Sequence, residues 1–449
     1  MRWTDRVVRL ALGLPGPASD VAYAGISSDT RRLPSGSLFV ALKGERFDAH
    51  DFLSSAAAAG ATGAVVRAGT PELPGVLLYR VPDTLHALGE LAHARRKTLS
   101  GPVVAVTGTN GKTSTKEMLA AALRTRYRLH ATRSNLNNLV GVPLSILEAP
   151  DDIEAMVLEA GANQLGEMAR HRQVIDPSIT VITNVAAGHL EGFGSSEQLL
   201  REKLALADGV ALAVVGTDPP QLAELARLRA RKVLSAGLLG ADRVPSKVEL
   251  GPEGKPRVNF GRHSFRLNAL GKHQASNAML AWTVGEVLGL DPAKVAASLE
   301  TVELPAGRGE LLQYGGLTVL HDAYNANPAS FRAVIELARA LRGTRRLVVV
   351  AGTMRELGES SVAYHREVAA LLLALHPELL CAIGDFVAPL EAHRATLGDR
   401  LLTAPDAAAL APLLAERLQG DELVVLKGSR GVALERLLPD LAARASPTS

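Results

Sequence analysis

With a single cysteine, Cys381, in 449 residues, the chain cannot close an internal disulfide, and a reducing compartment is its natural setting. Long apolar runs are missing as well. No uninterrupted stretch reaches the roughly 20 residues that a membrane-spanning helix needs, and Arg2, Asp5, Arg6 and Arg9 break up the first apolar residues, so these do not read as a signal peptide. Neither sign of charge dominates. Lys plus Arg number 49 and Asp plus Glu 46, and the resulting +3 gives no electrostatic footprint for nucleic acid. There is no low-complexity tract, no evident internal repeat and no GxGxxG fingerprint. The expectation is a cytoplasmic, monomeric, globular protein with no nucleic-acid partner and no membrane insertion.

What is present supports sizeable cores. Hydrophobic residues make up 47% of the chain, and its length fits about three domains on a prior of roughly 150 residues each. Pro102 to Thr115 is the most informative stretch. Val103 to Val106 is β-branched and apolar enough for a strand covered on both faces of a parallel sheet. Gly108 and Gly111 then let the backbone turn tightly and aim N–H groups at an anion. A helix over Lys112 to Arg126 places Met118, Leu119, Ala122 and Leu123 on one face and its positive dipole end under the loop. Gly108-Thr109-Asn110-Gly111-Lys112-Thr113-Ser114 therefore reads as a nucleotide-phosphate cradle, with Lys112 for terminal phosphates and the Thr113 hydroxyl within reach of Mg²⁺. Val106 stands where the first Gly of the usual P-loop would be, so the spacer is short.

Three α/β units follow from the order of segments. The expected limits are 1–83, 84–305 and 306–449. In the first, a strand running to Lys43-Gly44 precedes a polar loop, which suits either a large polar ligand or an ordinary surface; an Ala-rich helix near Phe52 to Ala59, capped by Gly60, and a strand near Ala64 to Val66 follow. In the second, strands at Ile153 to Glu159 and Ile179 to Thr183 and a helix from Ser196 to Leu206 predict a parallel sheet with ligands at its carboxyl edge. Val233 to Phe265 reads as hairpins, and Arg227, Arg229, Arg231 and Lys232 as the solvated last turn of a helix. In the third, Leu317 to His321, Leu347 to Ala351, Leu379 to Ile383 and Leu423 to Leu426 are strand candidates separated by helices, giving a Rossmann-like domain.

Glu159 ends its strand at the same sheet edge as the phosphate loop. A lone strand-end carboxylate is as readily a capping or solvated group, but beside a nucleotide loop it becomes a Mg²⁺ ligand candidate. His189 also follows a strand, and by itself reads as an ordinary loop histidine.

Taken together, Thr107 to Thr115, Asn135 to Pro143, Glu159-Ala160-Gly161-Ala162-Asn163, His189 to Gly194, Asp322-Ala323-Tyr324-Asn325-Ala326-Asn327-Pro328 and Lys427-Gly428-Ser429-Arg430 resemble the Mur ligases of peptidoglycan synthesis. The resemblance runs from Ser27 to Arg430. Phe39 to His50 and the Tyr-Asn-Ala-Asn segment point within the family to the member that joins D-alanyl-D-alanine to UDP-N-acetylmuramoyl-tripeptide. It implies an N-terminal UDP-sugar domain, a central ATPase and a C-terminal domain for the incoming amine. It also implies roles: Ser27, Glu45 and Arg46 facing UDP, Asn137 and Asn138 near the muramoyl end, Thr113 and Glu159 on one Mg²⁺, and His189 on a second. Lys203 falls where these ligases carry a carbamylated lysine, Asn277 at the adenine contact, Asp322 and Asn325 on the ribose side, and Arg308 at the phosphate-binding arginine. Departures from the family pattern are Glu202 and Ala205 around Lys203, Gln274 after His273, and Thr353 where an Asp is usual. Competing readings are a sibling ligase, a folate-polyglutamating relative, or a silent muramoyl-peptide binder that keeps the fold.

Overall fold

The structure is a computed structural model that describes residues 1–44, 47–188 and 190–445. Its first unit is a four-stranded parallel sheet of consecutive neighbours, β1 (Ile26–Ser27), β2 (Leu38–Val40), β3 (Gly63–Arg67) and β4 (Leu77–Val81). Successive side chains alternate between two cores, as a pleated strand dictates. Leu38, Val40, Val65 and Tyr79 face Val8 of α1 (Asp5–Leu12) and Leu88 and Leu91 of α3 (Thr84–Arg96). Phe39, Ala64 and Val66 face Ala56 of α2 (Leu53–Ala58). The strand expected to run to Lys43-Gly44 stops at Val40, and Lys43 makes an isolated bridge to Asp48.

Helix α3 begins at Asp83, whose carboxylate accepts the N–H groups of Leu85 and His86. It serves two cores. While Leu88 and Leu91 pack on the first sheet, Arg95 donates to the carbonyls of Ala149 and Pro150, and Arg96 to those of Ile175 and Asp176. These carbonyls end other segments, so the two buried guanidinium groups tie the first unit to the second.

The second unit is a six-stranded, all-parallel sheet in the order β10-β9-β8-β5-β7-β6. Its strands are β5 (Val103–Thr107), β6 (Leu129–Ala131), β7 (Ala155–Glu159), β8 (Ile179–Ile182), β9 (Leu212–Val215) and β10 (Val233–Ser235). In β5 every residue is buried: Val104 and Val106 face α4 (Lys112–Arg124), while Val103 and Ala105 face the side of α5 (Gly141–Leu147), α6 (Glu167–Ile175) and α7 (Ser196–Ala205). Met118, Leu119 and Leu123 of α4 are fully buried, each contributing about 1.5–3 kcal/mol by area. The segment expected to form hairpins divides. Val233–Ser235 joins the parallel sheet as an edge strand, and only β11 (Lys247–Leu250), β12 (Pro256–Phe260) and β13 (His263–Arg266) are antiparallel. They cover α8 (Lys272–Val287) and α9 (Pro292–Glu300), where Phe265 stacks on Trp282 at 5.4 Å. The expected basic helix turn holds for Arg227 alone, in the last turn of the helix Leu222–Arg227; Arg229 lies beyond its end and pairs with Asp208 at 2.9 Å.

The third unit has the order β14-β15-β19-β16-β17-β18. An antiparallel edge strand, β14 (Glu310–Tyr314), leads into β15 (Leu317–Asp322), α10 (Pro328–Arg342), β16 (Leu347–Gly352), α11 (Ser361–Leu373), β17 (Leu379–Ile383), β18 (Leu401–Ala404), α12 (Ala407–Arg417) and β19 (Leu423–Lys427). Cys381 lies buried in β17 with its thiol pushed up to about 12 by burial. Among the described residues no helix is long and apolar enough to cross a membrane.

Candidate active site

The carboxyl edges of the second and third sheets meet around a cavity of about 600 Å³. Its floor is the turn between β5 and α4. Gly108 (φ 144°) and Gly111 (φ 78°) adopt conformations that disfavour a side chain. Both are also crowded: a Cβ on Gly108 would overlap Thr183 Oγ1, and one on Gly111 would come within 2.5 Å of Asn277 Oδ1. Residues Thr109 to Ser114 line the cavity, with the N-terminal N–H groups of α4 beneath them. Lys112 folds back, its Nζ donating to the carbonyls of Gly108 (2.8 Å) and Thr109 (3.1 Å). Loss of water around it lowers its pKa, and Glu159 opposes that shift.

Glu159 closes β7 and is 2% exposed. Its Oε1 accepts from Asn137 Nδ2 at 2.8 Å, whereas Oε2 is buried without a hydrogen-bond partner. A buried carboxylate oxygen left unpaired is costly unless something else pairs with it. Thr113, also buried, stands in the first turn of α4 on the same cavity wall. An unpartnered carboxylate oxygen and a hydroxyl are hard oxygen donors, a set that fits a divalent cation such as Mg²⁺. Among the described residues there is no group of three or more His, Cys, Asp or Glu arranged for a metal.

Arg308 reaches the cavity from the third unit. Its guanidinium lies 3.9 Å from the centre of the Tyr324 ring, and its Nε is buried without a hydrogen-bond partner. Lys203, on α7, is 1% exposed and faces the Phe193 ring at 5.8 Å. Burial, followed by the nearby charge of Lys112, lowers its amine to about 7. The preceding Glu202 serves the fold: its carboxylate accepts the N–H groups of Gly166 (2.9 Å) and Met168 (2.6 Å) at the start of α6.

The other expected positions divide by location. Asn137, Asn138, Asn277, Asp322 and Asn325 line the same cavity. Asn138 Oδ1 accepts the N–H groups of Val140 and Gly141 at the start of α5, and Asn277 Nδ2 donates to Gln274 Oε1 (2.9 Å). Asp322 pairs with Lys427 at 2.9 Å, and Lys427 also donates to the Asn325 carbonyl. Ser27 does not line the cavity; its hydroxyl closes a local turn with Asp29. Glu45, Arg46 and His189 lie outside the described residues. Thr353 Oγ1 accepts the N–H of Asp385 (2.9 Å), so a carboxylate-bearing residue stands within the turn after the neighbouring strand β17. Tyr324, Asn327 and Lys427 carry no role that the sequence alone assigns. Their partners are remote in the chain, although the Asn-Pro-Ala-Ser pattern at 327–330 marks a helix start.

Comparison with known proteins places this geometry in context. Three family models match in succession: the Mur ligase family, catalytic domain, over residues 22–96; the Mur ligase middle domain over 106–285; and the Mur ligase, glutamate ligase domain, over 307–430. The UDP-N-acetylmuramoyl-tripeptide–D-alanyl-D-alanine ligase of Bacillus subtilis is 34% identical over 432 residues, 93% of each chain. A crystal structure of MurF from Acinetobacter baumannii superposes with a TM-score of 0.88 at 30% identity, covering 99% of both chains. The MurF ligase from Thermotoga maritima in complex with ADP gives a TM-score of 0.82 at 28% identity, covering 95% of this chain and 98% of that one. By sequence, domain order and fold, the chain belongs to the Mur ligase family.

Proposed function

We propose that this chain is an ATP-dependent ligase that joins D-alanyl-D-alanine to UDP-N-acetylmuramoyl-tripeptide, releasing ADP and phosphate, in peptidoglycan precursor synthesis in the cytoplasm. The observation that carries this reading is the convergence on one cavity of a phosphate loop, two cations from different domains (Lys112 and Arg308) and a buried carboxylate with an unpaired oxygen (Glu159). The named relatives act on these substrates.

The reaction has to bring two anions together. The tripeptide carboxylate attacks the γ-phosphorus of ATP, ADP departs, and an acyl phosphate forms. The free amine of the dipeptide then attacks the acyl carbon, loses a proton and expels phosphate, leaving an amide. The α4 N-terminus and Lys112 hold the phosphates, Arg308 offsets negative charge on the transferred group, and catalysis is mostly positioning and charge. No covalent enzyme nucleophile is required, in keeping with the raised thiol of buried Cys381. Thr113 and Glu159 would hold one Mg²⁺. His189 and a carbamylated Lys203 would serve a second. Bound Mg²⁺ supplies charge neutralisation across the phosphates. Carbamylation of Lys203 needs a neutral amine, which its burial favours; reaction with CO₂ releases a proton and converts the amine into an oxygen donor.

Residues 1–83 serve as the UDP-sugar domain through Ser27, Glu45 and Arg46, 84–305 as the ATPase, with Asn137 and Asn138 near the muramoyl end, and 306–449 as the amine domain. Asn277 faces the adenine, and Asp322 and Asn325 the ribose side. The protein acts as a monomer. The test is phosphate release by purified protein given ATP and UDP-muramoyl-tripeptide, with and without D-alanyl-D-alanine, followed by product mass. Release is expected only with both substrates, and the product gains the dipeptide. No stimulation by the dipeptide overturns the assignment.

A further inference from the structure

Asn110, in the middle of the phosphate loop, is held by two different domains. Its backbone belongs to the second: the N–H donates to Asn184 Oδ1 (3.0 Å), and the carbonyl accepts from Thr183 Oγ1 (2.5 Å) and Asn184 Nδ2 (3.0 Å). Its side chain leaves that domain. Asn110 Oδ1 accepts from Asn327 Nδ2 at 2.7 Å, and Asn110 Nδ2 donates to Asn327 Oδ1 at 3.3 Å, a reciprocal amide pair spanning 217 residues of sequence.

Asn327 is 2% exposed and is itself fixed by packing and capping. Its Oδ1 also accepts the Ser330 N–H (2.9 Å), and its own N–H donates to Ser330 Oγ (3.0 Å), forming a capping box at the start of α10. The cap uses Oδ1 alone. Asn327 Nδ2 is committed to Asn110, so this half of the amide does nothing for the helix. The surrounding seam is tight: a Cβ on Gly188 would lie 3.0 Å from Thr109 Cγ2 and 3.6 Å from Asn327 Nδ2, and Glu191 N–H donates to the Glu356 carbonyl (3.3 Å).

We propose that Asn327 is a positioning residue for the nucleotide site: its amide latches the phosphate loop through Asn110, so the loop is fully ordered only when the third domain is docked. Because Asn327 lies two residues after Asn325, and Asp322, Tyr324 and Asn325 line the cavity, docking sets both ends of the nucleotide site together. This rests on the reading that the loop takes nucleotide phosphates.

The test is a double-mutant cycle in the full-length protein, with ADP affinity measured by calorimetry. Asn110→Ala removes one partner. Asn327→Ser removes the other while keeping a good helix cap, and Asn327→Asp keeps the cap but lacks the Nδ2 donor. Each single change is expected to weaken ADP binding roughly tenfold, with the melting temperature of the Ser and Asp variants close to wild type. The double variant is expected to be no weaker than the worse single within about threefold, because both remove one interaction. Losses that multiply to roughly a hundredfold, or a single variant within twofold of wild type, overturn the latch. Because ADP binding needs no acceptor, the result is independent of the dipeptide assignment. Wild-type protein that does not bind ADP refutes the nucleotide reading itself, whereas binding with multiplying losses refutes the latch alone.

Discussion

Replacing Gly111 with Ala tests whether the loop geometry is the source of nucleotide affinity. Gly111 sits at φ 78°, ψ 0°, directly before α4. Holding an L-residue in this left-handed region costs about 1–2 kcal/mol. The added Cβ would also stand 2.5 Å from Asn277 Oδ1 and 3.1 Å from both Cγ and Nδ2 of the same amide. Asn277 cannot withdraw freely, being 5% exposed on α8 with its Nδ2 bonded to Gln274, and breaking that bond costs about 1 kcal/mol more. In the unliganded variant the loop escapes both penalties by leaving the left-handed conformation. Nucleotide must pull it back, at a total of about 2–3 kcal/mol, or roughly 30- to 150-fold in affinity. Titration calorimetry with ADP and Mg²⁺ on Gly111→Ala reads this directly. Binding within threefold of wild type would refute the claim that this backbone conformation forms the phosphate site.

Arg308→Lys loses the planar group that stacks on Tyr324, and kcat is expected to fall about 10²- to 10³-fold with little change in melting temperature; stopped assays of phosphate release check it. In the uncarbamylated protein Lys203→Met should raise the melting temperature at pH 7, and under assay conditions it should abolish turnover. With the folded amine at about 7, the unfolded chain holds the extra proton between that pH and the usual lysine value of about 10.4, so the penalty for burying Lys203 grows as pH falls towards 7 and is complete below it. A lower melting temperature for Lys203→Met, or retained activity, contradicts this. His171, 1% exposed with Nε2 donating to the Gly161 carbonyl, is lowered to about 4, chiefly by burial. Its contribution is full above the ordinary histidine value of about 6.5 and is lost as pH falls through the folded value, so stability should drop between about 6.5 and 4. His171→Gln is expected to flatten that acid limb in denaturant titrations at several pH values.

Elements whose burial is written in local pattern are legible in the sequence. Val103 to Val106 reads as a doubly covered strand because no polar residue interrupts it, and Glu159 is placed at a sheet edge simply by ending such a run. Short edges are different. Val233–Ser235 is three residues beside a Gly-rich stretch, too little to separate a parallel edge strand from a hairpin, and the antiparallel Glu310–Tyr314 alternates without an apolar face strong enough to stand out. The basic run after Arg227 reads as helix because charge is common in last turns, but the pairing of Arg229 with Asp208 depends on the fold. Lys203 carries a usable signal: at i+4 from Leu199 and i+3 from Leu200 it falls on the buried stripe of its helix. Contacts such as Asn110 with Asn327, or Arg308 with Tyr324, join residues that no local period relates.

The most direct test of the central claim follows an oxygen atom. UDP-muramoyl-tripeptide carrying ¹⁸O in its reacting carboxylate is incubated with the protein, ATP and D-alanyl-D-alanine, and the released phosphate is analysed by mass spectrometry. Acyl-phosphate formation predicts one ¹⁸O per phosphate, released only when the dipeptide is present. Unlabelled phosphate, or release indifferent to the dipeptide, would contradict the account.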